Sequence, residues 1–413
     1  MINNIRLKNG LRVILYPIPY VRSVTIGYGI KGGASSDERG KKGISHFLEH
    51  VIFKGTRKYS SYEIRHRIES IGGEVNALTG REYTLIFSKV PDKYLDRALD
   101  VIFDVVQHPL FPPEEIEKEK KVIIEEIKMY EDSPAEHLYD RFISGFWQDS
   151  SFGRSITGNI DEVKRIERQD IVEHFSRFYH PNNAVLCIVG KFGEKYALDL
   201  IKHLSENQMG EEHRYHPFIS PNFAPTYVEK EVQQVHFIVG LQSLPLKDEK
   251  IYELSVLHTI LGGGSTSRLF ETIREKEGLV YTIYSDVNSY HNNGLLYVYG
   301  ATSTDRFEKA LSLINEELNK IRQNGVMEEE VYDAKEKIKG EFLLGVESTF
   351  SIMQHLFNRG IHSLPLLNTD EILEKIDSVT IDGVNSLANS LFSQKRALAV
   401  LAKDTDRLNT GVV

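Results

Sequence analysis

The segment Ser45-His46-Phe47-Leu48-Glu49-His50 is where residue types and spacing first suggest chemistry. His46 and His50 are four residues apart, so on a helix both imidazoles leave the same face, one above the other. Two neutral imidazole nitrogens at that spacing can share one zinc ion at about 2.0–2.1 Å. Glu49 stands one residue before the second histidine and three after the first. It can reach past such an ion to a water without being a ligand. Paired histidines on helices are common at ordinary surface and core positions, and the chain has 15 histidines, so a third ligand has to be found.

A long helix is expected from about Pro113 to Tyr130. Its opening stretch, Glu114 to Lys121, has the charge pattern of a solvated face. Further on, Val122, Ile123 and Ile127 mark the buried side. Glu126 falls on that side, four residues after Val122 and three after Ile123. Glu119 lies two turns before Glu126 and points the same way, whereas Glu125 groups with Lys118, Lys121 and Lys128 outside. A carboxylate buried without a partner is costly, so Glu126 is the third ligand in preference to Glu125. Glu119 has two readings: it orients a histidine through the ring's free nitrogen, or it is an exposed helix charge.

Two histidines and one carboxylate leave a coordination position open, the pattern of catalytic rather than structural zinc. Zinc lowers the pKa of a bound water towards ~7 and makes a nucleophile available. Glu49 would take that water's proton and later pass it to a leaving amine. Peptide-bond hydrolysis is the fitting reaction.

The 413 residues suffice for two or three domains. They divide into two halves with the same order of elements, a duplication at a period of about 210 residues. The first half opens with a hairpin around Asn9-Gly10 and ends with strand 184–190. The second half opens with strands near 228–232 and 235–241 and ends with Ala397–Ala402. Asn159–Val163 echoes Asn368–Ile372. Prolines at 217, 221 and 225 indicate a stiff connection. The expected domains are 1–212, a linker at 213–226, and 227–413. The expected fold class is α+β: two homologous domains, each a mainly antiparallel sheet with helices packed on one face. The second-half helix matching His46–His50 carries Glu253, Val256 and Leu257 instead, so one zinc per chain is expected. Gly262-Gly263-Gly264-Ser265 lacks the Lys-Ser or Lys-Thr of a phosphate loop. It is a helix stop, after which Ser265 or Ser267 caps a new helix.

Several classes are disfavoured. Lys plus Arg number 50 against 59 Asp plus Glu, a net charge of −9, which disfavours a nucleic-acid partner. The lone Cys187 permits neither an internal disulfide nor a thiolate metal cluster. No apolar run approaches the ~18 residues that would cross a membrane, and no signal-like apolar segment opens the chain. A soluble, cytoplasmic protein is expected.

His46-Phe47-Leu48-Glu49-His50 resembles the H-x-x-E-H signature of the inverzincins. Its surroundings resemble the pitrilysin family of zinc metallopeptidases, especially the branch of the mitochondrial processing peptidase. The similarity spans essentially the whole chain. It includes Asn9-Gly10-Leu11, Gly43–Gly55 with Phe53-Lys54-Gly55-Thr56, Gly72–Ala77, Glu119 to Glu126, Ser267-Arg268-Leu269, and Arg274 to Tyr281. The family's third ligand follows an acidic helper by seven residues, the places of Glu126 and Glu119. The stretch Gly73–Thr79 could present a strand edge to an extended peptide. The resemblance assigns that role to Val75, Asn76 and Ala77. It also assigns Arg274 and Tyr281 to contact with substrate and the tetrahedral oxyanion.

The resemblance further implies a clam-shell chamber for short or unfolded peptides. Two chains would close it as a homodimer, with second-domain residues completing the partner's site. The alternative is a non-catalytic or partner-dependent subunit of a processing peptidase.

Overall fold

The computed structural model describes residues 2–148, 150–206, 209–406 and 408. The hairpin around Asn9-Gly10 forms: Asn3–Arg6 (β1) pairs antiparallel with Arg12–Pro17 (β2). Gly10 takes φ +85° between them, a conformation that glycine adopts without strain. Four further strands, Ser23–Lys31 (β3), Glu74–Thr79 (β4), Tyr83–Pro91 (β5) and Ala184–Gly190 (β6), complete a sheet of order β1-β2-β6-β3-β5-β4. Only β2 and β6 pair in parallel. Every residue of β6 is buried, as its unbroken apolar sequence requires of a strand covered on both faces. Cys187, in the middle of β6, is a core residue.

Ile44–Val51 (α1), Ser61–Glu69 (α2), Leu95–Gln107 (α3), Arg168–Phe178 (α7) and Glu194–Leu204 (α8) pack on one face of this sheet around a common core. Ser60 and Glu63 form a reciprocal capping box at the start of α2. Pro113–Asp132 (α4) adds Ile116, Ile123 and Ile127 to the core, and Ile160–Arg165 (α6) adds Val163.

The opposite face is covered by Thr349–Ile361 (α12), which belongs to the second half of the sequence. Its Met353, Leu356, Phe357 and Ile361 lie on Ile14, Leu85, Phe87, Val185 and Cys187. Burying side chains of this size contributes about 2 kcal/mol each. Gly27 and Gly29 of β3 make the room. A Cβ on Gly27 would stand 2.3 Å from Met353 Sδ, and one on Gly29 would stand 2.0 Å from Phe357 Cε2.

The second half repeats the plan. Thr226–Glu229 (β7), Val235–Gln242 (β8), Val280–Ser289 (β9), Gly294–Thr302 (β10) and Ala397–Ala402 (β11) form a sheet of order β7-β11-β8-β10-β9. Again one pair is parallel, β7 with β11. The first strand runs 226–229 rather than 228–232, because its pairing with β11 ends at Glu229 opposite Ala402. Ile251–Gly262 (α9), Phe307–Asn324 (α10), the first turns of Glu328–Gly345 (α11) and Ile381–Phe392 (α14) build the core on one face. Thr369–Asp377 (α13) lies beside α9. The other face carries Pro134–Phe146 (α5), from the first half of the sequence, with Leu138, Phe142 and Ile143 on Ile238, Tyr297 and Ala399.

Compactness therefore groups the chain as Met1–Lys128, Arg154–Tyr215 and Leu344–Asn368 in one unit. Met129–Gly153, His216–Leu343 and Thr369–Val413 make the other. The α+β class and the pairing of two like domains hold, with each sheet mixed and mainly antiparallel. The helices native to each half pack on one face, and one helix drawn from the other half covers the second face. Residues 209–225 contain no helix or strand. Tyr215 donates to Ile361 O at 2.5 Å in the first unit, and Ile219 N donates to Asn293 Oδ1 at 2.8 Å in the second. Among the described residues no helix is long and apolar enough to cross a membrane.

Candidate metal centre

The helix carrying the histidines is anchored at its start by a buried carboxylate. Gly43 N and Ser45 N donate to Asp37 at 2.7 and 3.2 Å, and Ser45 Oγ donates at 2.6 Å. These bonds satisfy first-turn amides that have no partner within α1. Burial pushes the Asp37 carboxyl up to about 7, while its donors from Ser45 and Gly43 pull the other way. Ser45 Oγ also meets His174 Nε2 at 3.1 Å, a ring that burial pushes down to about 3 and so keeps neutral. Gly43 takes φ +85°, and a Cβ there would stand 2.5 Å from Thr157 O. Ile44, Phe47, Leu48 and Val51 lock α1 into the core, and that fixes the rotation of the helix.

The second contributor, α4, is oriented by Ile116, Ile123 and Ile127. Glu119 is buried on the same side and Glu126 half-buried beside it, as expected. Val122 departs from the expectation: it is 50% exposed. It lies one step of about 100° from Ile123 around the helix, outside the inward stripe. Glu125 points outward and pairs with Lys128 at 2.7 Å.

His46, His50 and Glu126 each offer a ligand atom within 4.8 Å of the others. His46 Nε2 lies 3.7 Å from Glu126 Oε1, and His50 Nε2 lies 3.4 Å from Glu126 Oε2. The imidazole centroids are 4.7 Å apart with planes at 72°. Neither histidine–carboxylate separation is a hydrogen bond; the three groups surround a gap. Tetrahedral bonds of 2.0–2.1 Å would set neighbouring ligand atoms about 3.3 Å apart, close to the two histidine–carboxylate separations. Burial, then the neighbouring His50, pushes His46 down to about 3, so the ring is neutral and its lone pair available. His46 Nδ1 is buried without a hydrogen-bond partner. The ring's other nitrogen, Nε2, is the one that faces Glu126 and can bind an ion. These residues fit a zinc ion.

Glu49 is half-buried on α1 beside the gap. Burial raises its pKa, Thr79 and His50 pull it back, and the carboxylate of Glu126 raises it further. Thr79 ends β4, so the edge strand of the first sheet runs beside the site. Val75 and Ala77 of β4 pair with Ser88 and Ile86 of β5, and no described strand pairs with the outer edge. Asn76 is exposed between them.

Glu119 Oε2 faces His50 Nδ1 at 3.1 Å. Its other oxygen accepts from Lys54 Nζ at 2.6 Å. Glu119 is thus buried against the His50 ring and is not an exposed helix charge. Lys54 enters the sequence reading only within the stretch Phe53-Lys54-Gly55-Thr56, with no role of its own; it lies three residues beyond the end of α1.

Arg274 and Tyr281 belong to the second unit. Arg274 lies in a π-helical segment, Phe270–Lys276, its guanidinium 4.6 Å from the centre of the Phe270 ring. Tyr281, on the edge strand β9, is 74% exposed. No side chain caps that helical segment: Ser267 instead donates to Gly264 O at 2.6 Å, closing the turn before it. On α9, Val256 and Leu257 are buried apolar residues.

The chain is similar to known proteins along nearly all of its length. Residues 12–159 match the family model described as insulinase (peptidase family M16), and residues 165–338 match that of the peptidase M16 inactive domain. The uncharacterized zinc protease YmxG of Bacillus subtilis is 35% identical over 407 residues, 97% of this chain and 98% of that protein. The uncharacterized zinc protease SCO5738 of Streptomyces coelicolor is 30% identical, over 98% and 91% of the two chains. A protease from Helicobacter pylori has the same fold, with a TM-score of 0.89 at 21% identity over 97% of this chain and 99% of that one. A peptidase M16 inactive domain from Pseudomonas fluorescens gives 0.91 at 18% identity over 98% of each chain. Motif resemblance, family models and full-length relatives converge: this chain belongs to the M16 family of peptidases.

Proposed function

We propose that this chain is a zinc-dependent endopeptidase acting on short or unfolded peptides. The observation that carries the reading is the convergence of His46, His50 and Glu126 around one gap, with Glu49 beside it on the same helix. A bound zinc ion would polarise the scissile carbonyl and acidify the attacking water.

The chain's own residues supply the rest. His46 and His50 from α1 and Glu126 from α4 hold the ion, and Glu119 fixes the His50 ring. The peptide lies along the open edge of β4, its backbone bonding to Val75–Ala77. Glu49 accepts a proton as water adds to the carbonyl carbon, then returns it to the amine nitrogen as the C–N bond breaks. Arg274 and Tyr281 steady the oxyanion, a role that rests on the family resemblance. The family's use of paired halves supports a homodimer in which each chain lends these two residues to its partner's chamber. One zinc per chain and a cytoplasmic location complete the reading.

The direct test incubates zinc-loaded protein with a mixture of unstructured peptides and with a tightly folded protein. Internal cleavage of the peptides, sparing of the folded protein and loss of activity to a chelator are expected. Zinc binding with no cleavage of any peptide would favour a non-catalytic subunit.

Shared sites have their own test. Arg274→Ala and His50→Ala chains, each inactive alone, should recover part of the activity when mixed. Mixed dimers verified by native mass that stay inactive would refute sharing.

A further inference from the structure

Glu119 is more enclosed than Glu126, with side-chain exposures of 11% and 23%, and both of its oxygens are engaged. One faces His50 Nδ1 at 3.1 Å, and the other accepts from Lys54 Nζ at 2.6 Å. Lys54 is delivered by backbone rather than by a free surface arm. The chain keeps turning after α1, with Ile52 N donating to Leu48 O and Lys54 N to Val51 O. Gly55 then takes φ +129° and redirects the chain. The next residue, Thr56, is buried and tied to Tyr59 and Asp104. The Lys54 side chain ends up only 22% exposed. Glu115, one turn before Glu119, bonds Lys118 instead at 2.5 Å.

We propose that Lys54 is a positioning residue of the metal centre. It holds the Glu119 carboxylate in the orientation that accepts the His50 Nδ1 hydrogen, which leaves Nε2 with a free lone pair aimed at the ion. The inference rests on the zinc-peptidase reading. An ammonium–carboxylate bond is short and strong, so it limits sliding of Glu119 along the ring nitrogen. The tautomer of a ligating histidine is set by the bond its other nitrogen makes.

Bare charge would act in the opposite sense. Glu49, Glu119 and Glu126 contribute three negative charges if ionised, and Lys54 contributes one positive. Removing Lys54 would make the pocket more negative and, on charge alone, draw a dication more tightly. Positioning predicts weaker binding, so the sign of the change discriminates.

The experiment measures zinc affinity of the full chain by competition with a chromophoric chelator, in wild type, Lys54→Met and Lys54→Arg. Long-range proton–nitrogen correlation on the zinc-free protein records the His50 tautomer. Thermal melting checks folding, and Lys54→Gln replaces the methionine variant if that chain does not fold.

The neutral variant is expected to bind zinc about 10–100-fold more weakly and to lose the pure Nδ1–H signature. Arginine should restore both to near the wild-type values. Unchanged or tighter binding by the neutral variant, with wild type binding normally, overturns the role of Lys54 and leaves the peptidase reading standing. A wild-type chain that binds no zinc overturns both.

Discussion

Glu49→Gln is expected to remove peptide hydrolysis while zinc stays bound. Glutamine keeps the size of the side chain and its place on α1, but it cannot accept the proton that the attacking water must lose. The three proposed ligands are untouched, since Glu49 is not among the atoms that converge on the gap. Loss of a positioned general base typically costs about 10²–10⁴-fold in rate. Zinc should stay bound through its three ligands, at an affinity lowered by the loss of one nearby negative charge. Turnover of a quenched peptide and zinc content of the same preparation check both halves. Retained turnover would take the base role from Glu49. Lost turnover with lost zinc would show that the substitution acts through the metal instead.

Much of this site was legible in the sequence because its parts are local. The spacing of His46, Glu49 and His50 is a statement about one helix, and helical periodicity is a strong signal. Glu119 and Glu126 follow from the same geometry on a second helix. The error over Val122 shows the resolution of that argument. The true stripe runs through Ile116, Glu119, Ile123 and Ile127, and a neighbour about 100° away already faces solvent. Lys54 was harder to find, because its meaning depends on Glu119, a residue 65 positions later that meets it only in the fold.

The exchanged helices had no local signature. The apolar side of α12 can be recognised from Met353 and Phe357. That it covers the first sheet depends on Gly27 and Gly29, more than 300 residues earlier, leaving space for those two side chains. The parallel placement of β6 beside β2 is likewise a long-range pairing. Strand periodicity predicts which residues are buried, not which strand lies alongside. Arg274 and Tyr281 are the extreme case. An arginine in a π-helical segment and an exposed strand tyrosine carry no distinguishing pattern of their own, and only resemblance to a family selects them.

Glu126→Gln and Glu125→Gln, adjacent and chemically identical changes, should separate sharply. Glu126 Oε1 and Oε2 stand 3.7 and 3.4 Å from the Nε2 atoms of His46 and His50. Its carboxylate is the only negative charge among the three proposed ligands. An amide there retains one weak oxygen donor and places an NH₂ group against the imidazole lone pairs or the ion. Zinc affinity should fall by at least about 100-fold, beyond the usual effect of changing a group that merely supports a ligand, and hydrolysis should fall with it. Glu125 has a side chain 71% exposed, and its partner Lys128 is half exposed as well. Such surface pairs contribute about 0–1 kcal/mol, so Glu125→Gln should leave zinc affinity and turnover at wild-type values. Chelator competition on the two variants decides the matter. Equal losses would mean that α4 presents a different face to the histidines, and equal retention would mean that the third ligand comes from elsewhere. A loss confined to Glu126 ties the ion to the stripe set by Ile116, Ile123 and Ile127, so the register of one buried helix face determines the coordination.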